Sequence, residues 1–287
     1  MSGKKILITG ADGMFGSGLM DSLGYEGLVG CGRDFDITDL ILVTDRLNQE
    51  RPNIIIHTAA YTDVEACEKD VDKAYAVNTT GVRNLVDYCV EKDILFIYVS
   101  STGVYGAHKN DAYTELDAVD PTTVHHKSKY ESEKIVQSHL DKYLILRAGW
   151  LYGGERTHSK NFVYKRFLEA SGKDKIYSDN SQIGNPTYVM DLIEQIKVLI
   201  EHQQTGVFNC VNKAVNVSRY DYVQKIVELF GIKCDVVIAP EGMFDRVAPV
   251  SHNESAINEK LDLLGLNVMG EWSEALSRYV QKLKGEV

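Results

Sequence analysis

Residues 4–18 read KKILITGADGMFGSG, and this stretch decides the fold. Residues 4–9 form a short apolar run without polar alternation, the pattern of a strand buried on both faces of a parallel sheet. Gly10, Gly13 and Gly16 follow at GxxGxxG spacing, and a helix is predicted over 13–23. The spacing has a mechanism. The first glycine permits a tight turn, the second lets a pyrophosphate approach the backbone, and the third lets helix and strand pack closely. The helix N-terminus then presents its free amides to the phosphates.

Outward from the turn, strand and helix patterns alternate. Strands are predicted at 28–31, 54–58, 94–100 and 143–147. Helices are predicted at 39–49, with Thr38 as N-cap, at 72–91 and at 122–140. Such alternation implies an α/β fold, a Rossmann-type doubly wound parallel sheet. We expect residues 1–150 to be the dinucleotide-binding domain. Residues 151–287 would form mainly a smaller C-terminal substrate-binding lobe, with segments returning to the first domain. There the pattern predicts a polar loop at 154–160, helices at 161–170 and 188–202, and strands at 207–211 and 234–238. A helix over 218–230, opened by Ser218 and stopped by Gly231, and a last helix over 271–283 complete it.

The second strand ends in Cys31-Gly32-Arg33-Asp34. An acid at that position suits free ribose hydroxyls and an arginine suits a 2′-phosphate. Arg33 favours NADPH, while Asp34 and Asp36 keep NADH as the alternative. The chain of 287 residues carries a net charge of −10, which argues against nucleic-acid and anionic-membrane partners. Its five scattered cysteines contain no CxxC, as in a reduced cytoplasmic protein. The N-terminus lacks a signal-peptide pattern and no apolar run is long enough to span a bilayer. No histidine, cysteine or acidic spacing suggests a metal.

These residues resemble the extended short-chain dehydrogenase/reductases, and more narrowly the dTDP-4-dehydrorhamnose reductases. The matching segments are 10–16 (GADGMFG), 36–39 (DITD), 51–62 (RPNIIIHTAAYT), 76–84 (AVNTTGVRN), 99–106 (VSSTGVYG), 146–153 (LRAGWLYG) and 182–187 (QIGNPT). The resemblance implies a sugar-nucleotide reductase that uses NADP, or NAD, in polysaccharide precursor synthesis, with a homodimer as one arrangement. It implies that Gly10, Gly13, Met14, Phe15, Gly16, Arg33, Asp36, Ile37, Ala59, Ala60, Tyr61, Asn78 and Lys129 bind the cofactor. Ser101, Thr102 and Trp150 would meet the substrate, with Ser101 at its carbonyl. A tyrosine and a lysine at YxxxK spacing would complete the catalytic set.

The tyrosine position departs from the pattern. Pro121, Ser128, Lys129 and Glu133 fall in register, but the residue four before Lys129 is His125. A literal YxxxK occurs at Tyr130 and Lys134, yet five residues is about 500° of helix rotation, so both pairs cannot face the sheet ends. Three readings stay open. His125 serves as the acid/base of a reductase or related enzyme, with Ser101 and Lys129. Alternatively Tyr113, Thr102, His126 or a water relays the proton. In the third, the chain binds dinucleotide without turnover, as a regulatory subunit. An epimerase or dehydratase on the same scaffold is the nearest competing activity. Arg156, His158 and Lys160 are candidates for the substrate diphosphate, and Arg246, Ser251 and Asn253 for the sugar. His57 reads as a packed strand-end residue.

Overall fold

Ile6, Leu7 and Ile8 are fully buried, and alternate side chains enter two different cores: Ile6 and Ile8 one, Leu7 the other. A computed structural model describes residues 3–90 and 92–285. Its elements, in order, are β1 (Lys5–Thr9), α1 (Met14–Ser22), β2 (Gly27–Cys31), α2 (Leu40–Glu50), β3 (Ile54–His57), α3 (Val64–Lys69), α4 (Val71–Tyr75), a π turn (Ala76–Thr80), α5 (Gly81–Cys89), β4 (Leu95–Ser101), a 3₁₀ turn (Thr102–Tyr105) and α6 (Val124–His139). They continue with β5 (Tyr143–Ala148), β6 (Trp150–Tyr152), α7 (Phe162–Ser171), β7 (Lys175–Ser178), β8 (Pro186–Tyr188), α8 (Val189–Glu201), β9 (Gly206–Cys210), α9 (Arg219–Phe230), β10 (Asp235–Ile238), α10 (Glu259–Leu263) and α11 (Trp272–Lys284).

The six-stranded sheet runs β2-β1-β3-β4-β5-β9, parallel throughout. One core joins the sheet to α1, α8, α9 and α11, and the other joins it to α2, α5 and α6. Helices thus cover both faces, the doubly wound arrangement. The chain leaves β1 toward β2 and later returns to β3 on the other side. The crevice at this switch point, beyond the carboxyl ends of the strands, is where such sheets bind ligands. Two small parallel ribbons, β7 with β10 and β6 with β8, lie outside the main sheet. No helix among the described residues is long and apolar enough to cross a membrane.

Several local expectations need correction. Asp39, not Thr38, caps α2: its carboxylate accepts the amides of Ile41 and Leu42, while the Thr38 hydroxyl turns back to Asp36. The helix predicted over 72–91 is broken into α4, the π turn and α5, and its last residue, Glu91, lies outside the described residues. The break centres on Asn78, whose carbonyl accepts the Ser132 hydroxyl and whose side chain is drawn to Tyr61 and Ser128. Hydrophobic periodicity carries no trace of such a bulge. Ser218 does cap α9, in a capping box with Asp221, and Gly231 closes it in the left-handed conformation.

Candidate active site

A cleft of 1870 Å³ opens over the carboxyl ends of β1, β3, β4 and β5. A typical small-molecule pocket is about 300–1,000 Å³, so this one has room for a dinucleotide and a second ligand together. Its floor is the glycine turn. Gly10 has φ +69°, and a Cβ on it would lie 2.8 Å from the Ala59 nitrogen. A Cβ on Gly16 would come within 2.1 Å of the Gly10 oxygen. The backbone is therefore drawn in as far as glycine allows. Gly13 opens α1 with no side-chain cap, so the first amides of the helix are left for a ligand. These features fit the diphosphate of a dinucleotide. Met14, Phe15, Ala59, Ala60 and Tyr61 line the same cleft, as do Arg33, Asp36 and Ile37 at its outer end. There the Asp12 carboxylate accepts the Arg33 amide at 3.0 Å.

The catalytic candidates come from α6 and β4. Thr123 caps α6 by accepting the His126 amide. The first turns of the helix then place His125, His126 and Lys129 on the cleft wall. His125 Nδ1 donates to the Tyr61 carbonyl at 3.0 Å, and only 7 % of the residue is exposed. Lys129 Nζ donates to the Val99 carbonyl at 2.6 Å and lies 4.4 Å from the Tyr98 ring centroid. The Ser101 oxygen accepts the Gly103 amide at 3.2 Å, which leaves its own O–H for a ligand.

Burial dominates the electrostatics here. It pushes the Lys129 ammonium down to about 7, with the Glu133 carboxylate opposing. It holds His125 well below the ordinary imidazole value, helped by His126 and Lys129 and opposed by the Tyr61 carbonyl. His126 is pushed to about 4 by burial and Lys129. Behind the wall, Glu133 accepts Ser100 Oγ at 2.5 Å and grips Arg147, whose Nη2 lies at 2.6 Å. His57 belongs to the packing: it stacks against Phe96 and Tyr98 and shares a hydrogen with the Thr9 hydroxyl at 2.7 Å.

The far end of the cleft is built around Trp150. Its indole N–H donates to Glu254 Oε2 at 2.8 Å, and the Arg219 guanidinium lies 3.4 Å from the ring centroid. Burial pushes Arg219 down to about 10, with Glu254 opposing. Among the described residues Arg219 forms no ion pair with a carboxylate. Gln182 and Arg246 complete this end.

Two of the expected site residues do not reach the cleft. Thr102 is 1 % exposed inside the 3₁₀ turn. Asn78 is spent on bonds to the amide and carbonyl of Tyr61 and to Ser128, so it positions the Tyr61 loop. Tyr113, one of the alternative relays, is buried in a stack with Tyr105. Of the three diphosphate candidates only Lys160 lines the cleft. Arg156 bonds the Leu283 carbonyl, and His158 bonds the Glu155 amide. Ser251 and Asn253 are buried loop anchors, whereas Arg246 faces the cleft. The literal YxxxK pair, Tyr130 and Lys134, lies on the outer face of α6, with Lys134 bonded to Glu131, so the cleft takes His125 and Lys129 instead. Sequence reading missed Arg219 and Glu254 as site residues. Arg219 was legible as part of a helix start, and Glu254 sits in a loop without periodicity.

The family model described as the RmlD substrate binding domain matches residues 4–284. The spore coat polysaccharide biosynthesis protein SpsK of Bacillus subtilis is 28% identical over 97% of this chain and 97% of its own. A dTDP-4-dehydrorhamnose reductase of Mycobacterium tuberculosis is 31% identical over 96% of this chain and 91% of its own. The crystal structure of a dTDP-4-dehydrorhamnose reductase from Bacillus anthracis, in complex with NADP, superposes with a TM-score of 0.92. That pair is 30% identical and covers 98% of this chain and 100% of the other.

Proposed function

The chain belongs to the RmlD substrate binding domain family, and we propose that it reduces the 4-keto group of a dTDP-linked 6-deoxy sugar with NADPH. The observation that carries this reading is one continuous cleft. The glycine turn floors it, Trp150 and Arg219 line its far end, and Ser101, His125 and Lys129 line the same cleft.

NADPH would be held by Gly10, Gly13, Met14, Phe15 and Gly16 at its diphosphate, by Arg33, Asp36 and Ile37 at its adenosine, and by Ala59, Ala60, Tyr61 and Lys129 toward its nicotinamide. When bound it supplies a hydride. The chain does the rest. The Ser101 O–H hydrogen-bonds the keto oxygen and draws charge onto it. His125, held by the Tyr61 carbonyl, handles the proton of that oxygen. The positive charge of Lys129 favours negative charge building up nearby. Trp150 covers the sugar. Arg219, Lys160 and Arg246 are the cations for the nucleotide diphosphate, through charge-assisted hydrogen bonds.

A nucleotide sugar in the cytoplasm is thus the proposed partner. A homodimer is the proposed state, which sedimentation would read. The function itself is tested by mixing the protein with NADPH and dTDP-4-keto-6-deoxy sugars. Consumption of NADPH matched by a 4-hydroxy product is expected. Cofactor binding without turnover of any keto sugar would replace the reading with that of a dinucleotide-binding subunit. Isomerised sugar with no net cofactor consumption would replace it with an epimerase.

A further inference from the structure

Glu254 is 9 % exposed and lines the far end of the cleft. Its Oε2 accepts the Trp150 indole N–H at 2.8 Å. Its Oε1 has no hydrogen bond among the described residues and is not sealed in the interior. The loop that carries it is pinned on both sides. Asn253 Nδ2 donates to the carbonyls of Lys109 and Asp111 at 3.0 and 2.9 Å, and the Ser255 hydroxyl donates to Asn253 at 2.6 Å. Between them the Glu254 amide donates to the Ile183 carbonyl at 2.8 Å. The indole is fixed as well: a Cβ on Gly184 would lie 2.4 Å from Trp150 Cε2, and the Arg219 guanidinium lies over the ring.

A buried acceptor without a donor is costly, so the free oxygen calls for a donor from a ligand. The diphosphate of a nucleotide sugar carries the same charge as the carboxylate and cannot supply one. Sugar hydroxyls can, and an O–H donating to a carboxylate makes a short, charge-assisted bond. Burial raises the Glu254 pKa, while the Trp150 N–H, Arg219 and Arg246 favour the ionised form. Gln182 repeats the pattern: its Nε2 donates to the Ser251 carbonyl at 3.4 Å, and its Oε1, buried at the same end, has no donor. The register of the sheet brings this end near the reacting carbonyl. Ser101 pairs with Ala148 and Trp150 follows two residues later. The Cα atoms of Ser101 and Trp150 are therefore at most about 12 Å apart. A ligand whose keto carbon sits at Ser101 has its sugar ring beside the pair of Trp150 and Glu254.

We propose that Glu254 selects the sugar: its Oε1 accepts a hydroxyl at C2 or C3 of the dTDP-linked ring, while its Oε2 keeps Trp150 over that ring. Glu254 is thus a specificity-determining residue. A sugar that lacks the hydroxyl leaves the carboxylate oxygen unpaired on binding and is rejected. Glutamine at this position has one acceptor oxygen for two donors, so it cannot serve both Trp150 and the hydroxyl. This inference rests on the reading of the ligand as the nucleotide sugar of a reductase.

The test is calorimetric binding of four probes to wild type and Glu254→Gln, each saturated with NADPH. The probes are dTDP-6-deoxyglucose, its 2-deoxy and 3-deoxy analogues, and dTDP. In wild type we expect one of the two analogues to bind about 10–100-fold more weakly than the parent sugar nucleotide. In Glu254→Gln the parent should weaken by a similar factor, and its advantage over that analogue should shrink to less than about threefold. Free dTDP should bind the variant no more weakly than wild type. An equal loss for all three sugar probes, an advantage undiminished in the variant, or no loss for either analogue in wild type would overturn the inference. So would a loss of dTDP binding as large as that of the sugar nucleotide, which would place Glu254 at the nucleotide. The expected binding pattern without NADPH consumption on any keto sugar would remove the reductase reading and leave the Glu254 contact standing. Absence of binding by all four probes would remove both.

Discussion

His125 stands where the resembling family has tyrosine, and the substitution changes chemistry more than geometry. A phenol is a protonated acid at neutral pH, whereas a buried imidazole bonded to a carbonyl is a base. The register of Pro121, Ser128, Lys129 and Glu133 made this legible in the sequence. The partner that fixes the ring, the Tyr61 carbonyl, was not legible, since a backbone atom leaves no residue signature. His125→Tyr is therefore expected to move the loss of reductase activity to higher pH, as a pH profile would show. Arg219→Ala should raise KM for the nucleotide sugar by about 10–100-fold with a smaller change in kcat, because it removes a cation that binds ground and transition states alike. An equal loss in kcat would place Arg219 in the chemistry instead. The sequence showed Arg219 merely as the residue after a cap; its place on Trp150, 69 positions away in the chain, is a tertiary contact that leaves no local pattern.

Among the elements, the glycine turn and α6 make opposite demands. The turn works because nothing is there. In Gly16→Ala the new Cβ would meet the Gly10 oxygen at 2.1 Å. We expect a loss of about 1–3 kcal/mol in urea unfolding and NADPH affinity weakened by at least about tenfold, read by cofactor fluorescence. α6 works because its inner face is fully engaged. Glu133 is buried against Arg147 and Ser100. Glu133→Ala should lower stability by about 3–5 kcal/mol, since it strands a buried guanidinium. Lys134→Ala, one residue on, breaks the exposed pair with Glu131 and an exposed contact with the Tyr130 ring, and should change stability by less than about 0.5 kcal/mol. Equal effects would contradict the assigned face of the helix. The regular elements were legible because strand runs and helix periods repeat. The π turn and the Asp39 cap were not, because each depends on side chains that compete for one backbone amide or carbonyl.

For the molecule as a whole, buried bases set how stability varies with pH. His57 and His126 are pushed to about 3 and about 4, against about 6.5 in an unfolded chain. Between those limits the unfolded state binds more protons, so stability falls as pH drops from about 6.5 toward about 4. Lys129, at about 7 against an ordinary 10.5, has the same sign: stability rises as pH climbs through that window. Urea midpoints measured across pH would check both limbs, and a midpoint that rises on acidification would contradict the burial of these groups. The doubly wound sheet was readable from the alternation that follows residues 4–18. The joining of nucleotide and substrate ends into one cleft was not, because β6, β8 and the 240–254 segment carry little periodicity. On the proposed reading this cleft reduces a keto sugar with His125 handling the proton. Single-turnover hydride transfer from NADPH to a dTDP-4-keto-6-deoxy sugar, followed in wild type and His125→Ala, tests it most directly. The prediction is transfer in wild type and a rate about 10²–10⁴-fold lower in the variant. An unimpaired His125→Ala, or no transfer in wild type, would contradict it.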